Sequence, residues 1–391
     1  MFPRSILPKL EKELKAKEIV VLTGMRQVGK TTLLKYLFDQ ISSTNKVFLD
    51  LQNPINRKIF EEENYDTIWE NLAPFQVKKS QPSYIFLDEI QNSKNISQVV
   101  KYLFDHYQVK FFLTGSSSFY LKNLFSESLS GRKVIYELYP LSFQEFLIFK
   151  KHTPQPSQSF SKKSSNKNQI SYHQKIKLYQ EYMEFGGFPR VVLEKNSDRK
   201  KILLDQIFTS YFEIDVQKLA DFKQLSKLRD LILILIPRVG SKLDITKISS
   251  ELHLSRETIY NYLQFLHHTY FIRLVNKFSN SIDRQAAGNK KVFLCDSGLA
   301  NRLGRLSQGQ LFEQSVFQSL KPYHQLNYYT KGGQEIDFII DKKIAIEVKF
   351  TASKKHLADL KKRGQSLKIK EKYIISYNYS PLPNVILSTN L

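Results

Sequence analysis

Residues 24–31 read Gly24-Met25-Arg26-Gln27-Val28-Gly29-Lys30-Thr31, two glycines five apart followed by a lysine and a hydroxyl residue. Glycines at that spacing let successive backbone N–H groups close around a phosphate at a helix N-terminus. Lys30 then reaches the β- and γ-oxygens, and the Thr31 hydroxyl is placed to ligate magnesium. Such chemistry needs a second contributor. The pair Asp88-Glu89 supplies it, with Asp88 holding the metal through water and Glu89 polarising the attacking water. Ser116, after Gly115, either senses the γ-phosphate or caps the next helix.

A loop of this kind works only between a strand and a helix. Residues 18–23 are β-rich, and Thr32-Leu33-Leu34-Lys35-Tyr36-Leu37-Phe38 has helical spacing, so the context is met, and Gly24 through Thr32 with Ser116 form the candidate nucleotide-binding set. Residues 83–87 are a second apolar strand that delivers Asp88 and Glu89 at its C-terminal end, and 109–114 are a third that runs into Gly115-Ser116-Ser117-Ser118. Arg132, in Ser130-Gly131-Arg132-Lys133, precedes a further β-rich run. It is either a surface arginine or an arginine finger acting across a subunit boundary of a homo-oligomer.

These residues resemble a known family. Gly24–Thr31 with Leu33-Leu34, Leu87-Asp88-Glu89-Ile90-Gln91, Leu113-Thr114-Gly115-Ser116-Ser117, Ser130-Gly131-Arg132 and Leu138-Tyr139-Pro140-Leu141-Ser142-Phe143 are similar to the AAA-type ATPases of archaea and bacteria whose C-terminal half is a domain of unknown function. The likeness continues through Gly186-Gly187-Phe188-Pro189, Phe293-Leu294-Cys295-Asp296-Ser297-Gly298-Leu299 and Glu335 to Lys349, over nearly the whole chain. The resemblance implies an α/β multi-domain fold with a parallel-sheet ATPase core, a helical lid and a nuclease-like end, using ATP with Mg2+. The expected division is 1–150 core, 151–172 flexible linker, 173–235 lid, 236–285 winged helix-turn-helix and 286–391 nuclease-like domain.

The last two assignments have their own residue basis. Helical spacing from Asp244, a turn at His253-Leu254-Ser255, a second helix with Ile259, Leu263 and Leu266 inward, and a strand near 270–275 are in winged-helix order. Arg256, Tyr260, Asn261 and Gln264 then face outward, types suited to DNA; packing against another protein is the other reading. Farther on, Glu335-Ile336-Asp337-Phe338-Ile339-Ile340 and Ile344-Ala345-Ile346-Glu347-Val348-Lys349-Phe350 read as a hairpin joined by Asp341-Lys342-Lys343. Alternation puts Ile336, Phe338, Ile340, Ile346, Val348 and Phe350 on a core face, with Glu335, Asp337, Glu347 and Lys349 on the other. Pairing Ile340 with Ile344 sets Asp337 opposite Glu347 and Glu335 opposite Lys349. Asp, then Glu-x-Lys, on adjacent strands looks like a PD-(D/E)xK nuclease core, with magnesium at Asp337 and Glu347 and Lys349 stabilising developing charge. Ordinary cross-strand pairing, or a nuclease fold that only binds, accounts for the same residues.

Composition narrows the partners. The 391 residues carry 59 Lys+Arg against 37 Asp+Glu, a net charge of +22. Residues 1–150 hold 20 against 16, or +4, and residues 151–391 hold 39 against 21, or +18. A basic second half suits an anionic polymer, with DNA preferred. A single cysteine, Cys295, excludes an internal disulfide, no Cys/His cluster has zinc-site spacing, and no apolar run approaches a membrane span. A reducing, cytoplasmic setting fits.

Overall fold

Ile19–Thr23 is five buried residues in a row, the pattern of a strand covered on both faces, and it becomes the inner strand β1 of a parallel sheet. The computed structural model describes residues 2–116, 129, 131–155, 158–216, 225–279, 281, 288–322 and 324–391. Ser117, Ser118 and Ser130 lie outside the described residues.

The chain divides into two compact units, one built from residues 1–139 with 268–270 and the other from 140–267 with 271–391. The first holds β1, β2 (Lys46–Asp50), β3 (Ser83–Asp88), β4 (Val109–Gly115) and β5 (Lys133–Glu137), in the order β2-β3-β4-β1-β5. All four pairings are parallel. Parallel neighbours need crossovers, and the helices Lys30–Gln40 and Ile96–His106 supply two of them. Below the sheet an apolar cluster joins Ile85, Leu87, Val99, Leu103 and Leu113. Because the strands run the same way, the loops after β1, β3 and β4 gather at one edge, and those loops carry the candidate nucleotide residues.

The second unit begins with helices. Segment 151–172, expected as a flexible linker, contains the helix Phe160–Ser165, capped by Ser159, and the start of the helix Gln169–Phe185. One aromatic in the polar run is enough to anchor it, since Phe160 is buried with its ring 6.1 Å from that of Tyr373. Helices Pro189–Leu193, Ser197–Ser210 and Leu225–Leu235 follow. The helix Ile245–Leu252 turns at His253, in the left-handed region at φ 53°, into the helix Arg256–His268, where Ser255 accepts from the Thr258 N–H at 3.0 Å.

After that pair come β6 (Ile272–Lys277), β7 (Lys291–Leu294), β8 (Leu326–Lys331), β9 (Gln334–Ile340), β10 (Ile344–Lys349), β11 (Glu371–Ser376) and β12 (Val385–Leu387). They form one mixed sheet, β12-β11-β10-β9-β8-β6-β7, in which β6 and β7 are antiparallel neighbours. The helix Gln308–Leu320 precedes β8, and the helix Lys354–Ser366 links the parallel pair β10 and β11. The hairpin register is as expected from the three-residue loop, with Ile344 opposite Ile340 and Ile346 opposite Phe338.

Candidate functional site

The loop after β1 is forced into shape by its glycines. Gly24 has φ 152°, and a Cβ there would lie 2.2 Å from the Leu138 carbonyl oxygen, so no other residue fits. Gly29, at φ 101°, precedes the helix Lys30–Gln40 and opens its N-terminal N–H groups to a ligand. Met25 and Val28 are buried, Arg26 is half-buried, and Gln27 and Thr32 are exposed. Lys30 is buried, its ammonium donating to the Gly24 and Met25 carbonyls at 2.9 and 3.0 Å. Thr31 Oγ1 donates to Asp88 Oδ2 at 2.7 Å, and Thr114 donates to Asp88 Oδ1.

Those bonds bring the ends of β1, β3 and β4 together. Burial pushes the Asp88 carboxyl above its ordinary range; the Thr114 and Thr31 hydroxyls and Lys30 oppose that shift, while Glu89 adds to it. Glu89 occupies the left-handed region at φ 56°, which strains a non-glycine residue and turns its side chain off the strand line. Its N–H donates to Thr114 Oγ1 at 3.0 Å. Gln91 donates one N–H to the Glu89 carboxylate and one to Ser116 Oγ at 3.1 Å, so Ser116 meets the acidic pair through Gln91.

A hydroxyl and a carboxylate side by side at a phosphate-binding loop are the two protein ligands that magnesium takes when phosphates and water complete its shell. The donor set at Thr31 and Asp88 therefore fits Mg2+ with a nucleotide. Arg132 stands elsewhere. Its carbonyl accepts from Ile19 N–H at 2.8 Å, which places it beside the start of β1, a five-residue strand or roughly 15 Å from the loop. Its guanidinium pairs with Asp105 at 2.7 Å.

Arg4 was not legible as a site residue. It is buried, with Nη1 donating to the Val28 carbonyl at 2.9 Å and Nη2 to the Tyr139 carbonyl at 2.7 Å, which ties the loop to the segment after β5. Gln91 lies in the quoted Asp-Glu-Ile-Gln run, but nothing in the run assigns its partners. Of the four expected groove residues, Arg256, Tyr260, Asn261 and Gln264 are all exposed on the helix Arg256–His268, with Ile259, Leu263 and Leu266 buried behind them.

The acidic face of the β9–β10 hairpin differs from its expected pairing. Glu335 does not meet Lys349; its carboxylate lies 2.5 Å from the Lys291 ammonium of β7, which also reaches Glu313 Oε1 at 3.2 Å. The regular ladder stops at Ile346 and Phe338, and the next contact is Val348 N–H donating to Asp337 Oδ2 at 2.8 Å. Lys349 is 3.7 Å from Glu347, whose other oxygen is 2.7 Å from Arg363. The cause is tertiary: the pairing of β8 with β9 shifts by one residue between Asn327 and Tyr329, so alternation does not carry Glu335 through on the face of Ile339. Ile339 and Ala345 on that face are buried as well.

Burial raises the Glu347 carboxyl, against the pull of Lys349 and Arg363, and burial followed by Asp337 raises that of Glu313. For Lys291 burial opposes the charge, but Glu313, Asp337 and Glu335 outweigh it and hold the ammonium above its ordinary range. Among the described residues no group of three or more carboxylates, histidines or cysteines is arranged to hold a metal ion. The two acids expected to hold magnesium already have protein partners, Asp337 in the Val348 N–H and Glu347 in Lys349 and Arg363.

Parallel strand order, glycine loop and acidic strand end together define an AAA-type P-loop ATPase core. A family model described as an AAA domain matches residues 16–147, and two models described as domains of unknown function, DUF8612 and DUF4143, match 176–310 and 308–386. The uncharacterized protein MJ1544 of Methanocaldococcus jannaschii is 30% identical over 97% of this chain and 89% of its own length, and the chain belongs to its family. An uncharacterized protein of Haemophilus influenzae is 29% identical over 83% of this chain and 80% of its own. Among solved structures, the Walker-type ATPase PABY2304 of Pyrococcus abyssi covers 78% of this chain and 96% of its own at 14% identity, with a TM-score of 0.45. Among the described residues no helix is long and apolar enough to cross a membrane.

Proposed function

We propose that this chain binds ATP with magnesium, hydrolyses it and uses the cycle to act on DNA. The observation that carries the reading is the hydrogen-bonded set of Thr31, Asp88, Thr114 and Glu89 beside the Lys30 loop. The loop N–H groups and Lys30 hold the phosphates, and Thr31 and Asp88 hold the metal. Magnesium held by Thr31 and Asp88 would supply positive charge to offset that of the phosphates. Glu89, kept near Ser116 by Gln91, orients the attacking water and takes its proton. Lys30→Ala should lower turnover in a phosphate-release assay by about 100-fold or more, the usual cost of losing a preorganised charge partner. Unchanged turnover would place hydrolysis elsewhere.

Because Arg132 lies at the far end of β1 from its own loop, a finger role requires a second copy of the chain. Specific ATPase activity should then rise with protein concentration and lose that rise in Arg132→Ala. A flat profile for the unaltered chain removes the role.

For the second half, the exposed Arg256, Tyr260, Asn261 and Gln264 on a helix-turn-helix pair, with the +18 surplus, support DNA contact through a winged helix. The cations packed into the Asp337–Glu347 face favour a nuclease-like end that grips rather than cuts. Incubating a plasmid with magnesium, with and without ATP, tests this: nicking that Asp337→Ala abolishes would restore the cutting role to Asp337, Glu347 and Lys349.

A further inference from the structure

The phosphate loop is braced from outside at both of its glycines. At its start Gly24 lies against the Leu138 carbonyl, and the Leu138 N–H donates to the Thr23 carbonyl at 2.7 Å. At its end the brace is Arg4, only 6% exposed, whose Nη1 donates to the Val28 carbonyl at 2.9 Å and whose Nη2 donates to that of Tyr139 at 2.7 Å. We propose that Arg4 is a positioning residue for the nucleotide: its fork fixes the Val28–Gly29 peptide so that the Gly29 N–H faces the phosphates. This deepens the ATP-binding reading and rests on it.

The peptide plane carries the inference. A trans peptide holds its C=O and N–H on opposite edges, so drawing the Val28 oxygen toward Arg4 turns the Gly29 N–H away from Arg4, to the side on which the loop closes around a phosphate. Arg4 Nη1 lies 3.9 Å from where a Cβ on Gly29 would stand, so the guanidinium packs against the peptide it orients. Left to itself that plane has little to hold it. Gln27 at φ 64° and Gly29 at φ 101° flank it in the left-handed region, which a residue such as Gln27 keeps only where its surroundings impose it and which glycine has no Cβ to resist leaving. A reversed plane would aim the Val28 oxygen at the phosphates and replace a donor with a repelling acceptor. A planar fork that engages two carbonyls from distant segments sets this geometry as an ammonium on a flexible stem does not.

Arg4→Met keeps an unbranched stem and removes every donor, whereas Arg4→Lys keeps the charge without the fork. The measurements are steady-state kinetics with Mg-ATP and calorimetry with Mg-ADP on full-length chains. Arg4→Met should raise both KM for ATP and the dissociation constant of Mg-ADP by about 10-fold or more, the range of a charged hydrogen bond that orders a site. The change should fall on KM more than on kcat, and Arg4→Lys should also weaken binding. A residue that only held the fold together would lower the active fraction, and so kcat, while leaving KM unchanged; that result overturns the proposal, as does unaltered Mg-ADP affinity in Arg4→Met. Where Arg4→Met does not fold, unaltered affinity in Arg4→Lys overturns it. An unaltered chain that binds no Mg-ADP removes the ATP reading together with this role, whereas equal binding by the unaltered chain and Arg4→Met removes the role alone.

Discussion

At the residue scale, Asp88 concentrates the tension of the nucleotide site. Its carboxylate is 3% exposed, between Thr31 and Thr114, and burial holds its folded value above the ordinary 3.8. A raised acid contributes stability that is complete below the ordinary value and is lost as pH rises through the folded one. The nucleotide-free chain therefore carries a disfavoured charge at neutral pH. Asp88→Asn should raise the melting temperature of the nucleotide-free protein at pH 7, with the gain vanishing toward acid. The same variant should lose the stabilisation that Mg-ATP gives the parent. Melting curves with and without Mg-ATP check both, and a variant less stable than the parent at pH 7 would mean that the hydroxyl and lysine contacts of Asp88 outweigh its burial.

At the element scale, two motifs of the resemblance turn out to be one joint. Asp296 caps the helix Ser297–Gly304 through the Leu299 N–H at 2.9 Å, and its other oxygen accepts from Gly187 N–H at 2.7 Å and Gln318 Nε2 at 3.0 Å. Gly186, at φ 75°, leaves that carboxylate its room, since a Cβ there would come within 2.0 Å of it. Asp296→Ala strands buried donors and should cost about 3 kcal/mol in chemical denaturation. Burial pushes the Asp296 carboxyl up to about 6, so the stability it contributes is full below about 3.8 and fades between there and about 6. The penalty of the variant should accordingly be larger at pH 4 than at pH 7; a pH-independent penalty would detach it from that carboxyl.

Legibility divides along the same lines. The glycine loop, the Asp88-Glu89 strand end and the hairpin register were readable because each is set by residues within about ten positions of one another. The partners of Glu335 were not, because Lys291 lies 44 positions away and alternation along one hairpin says nothing about a strand that arrives from β7. Arg4 was invisible for the same reason, its contacts at Val28 and Tyr139 being 24 and 135 positions distant. The anchoring of Phe160 was missed because composition averages over a segment, whereas a single buried ring decides its fate.

At the scale of the whole molecule, the +22 charge is a statement about partners only once it is divided. If the surplus beyond residue 150 holds DNA, binding must release counterions, and the slope of log affinity against log salt counts the contacts at about −0.9 each. Arg256→Ala should make that slope shallower by about one without changing ATP turnover in the absence of DNA. Salt-titrated fluorescence anisotropy gives the slope, and an interaction indifferent to salt would point to a protein in place of DNA.

The resting lysine of the phosphate loop has one more consequence. The Gly24 and Met25 carbonyls engage its ammonium, so an anion bound at the loop would compete with backbone oxygens for that charge. A small ion that offers only its charge competes poorly with that internal pair. A polyphosphate that also engages the loop N–H groups and the Thr31–Asp88 pair would gain enough elsewhere to win the exchange, so orthophosphate should compete poorly with ATP in a binding titration.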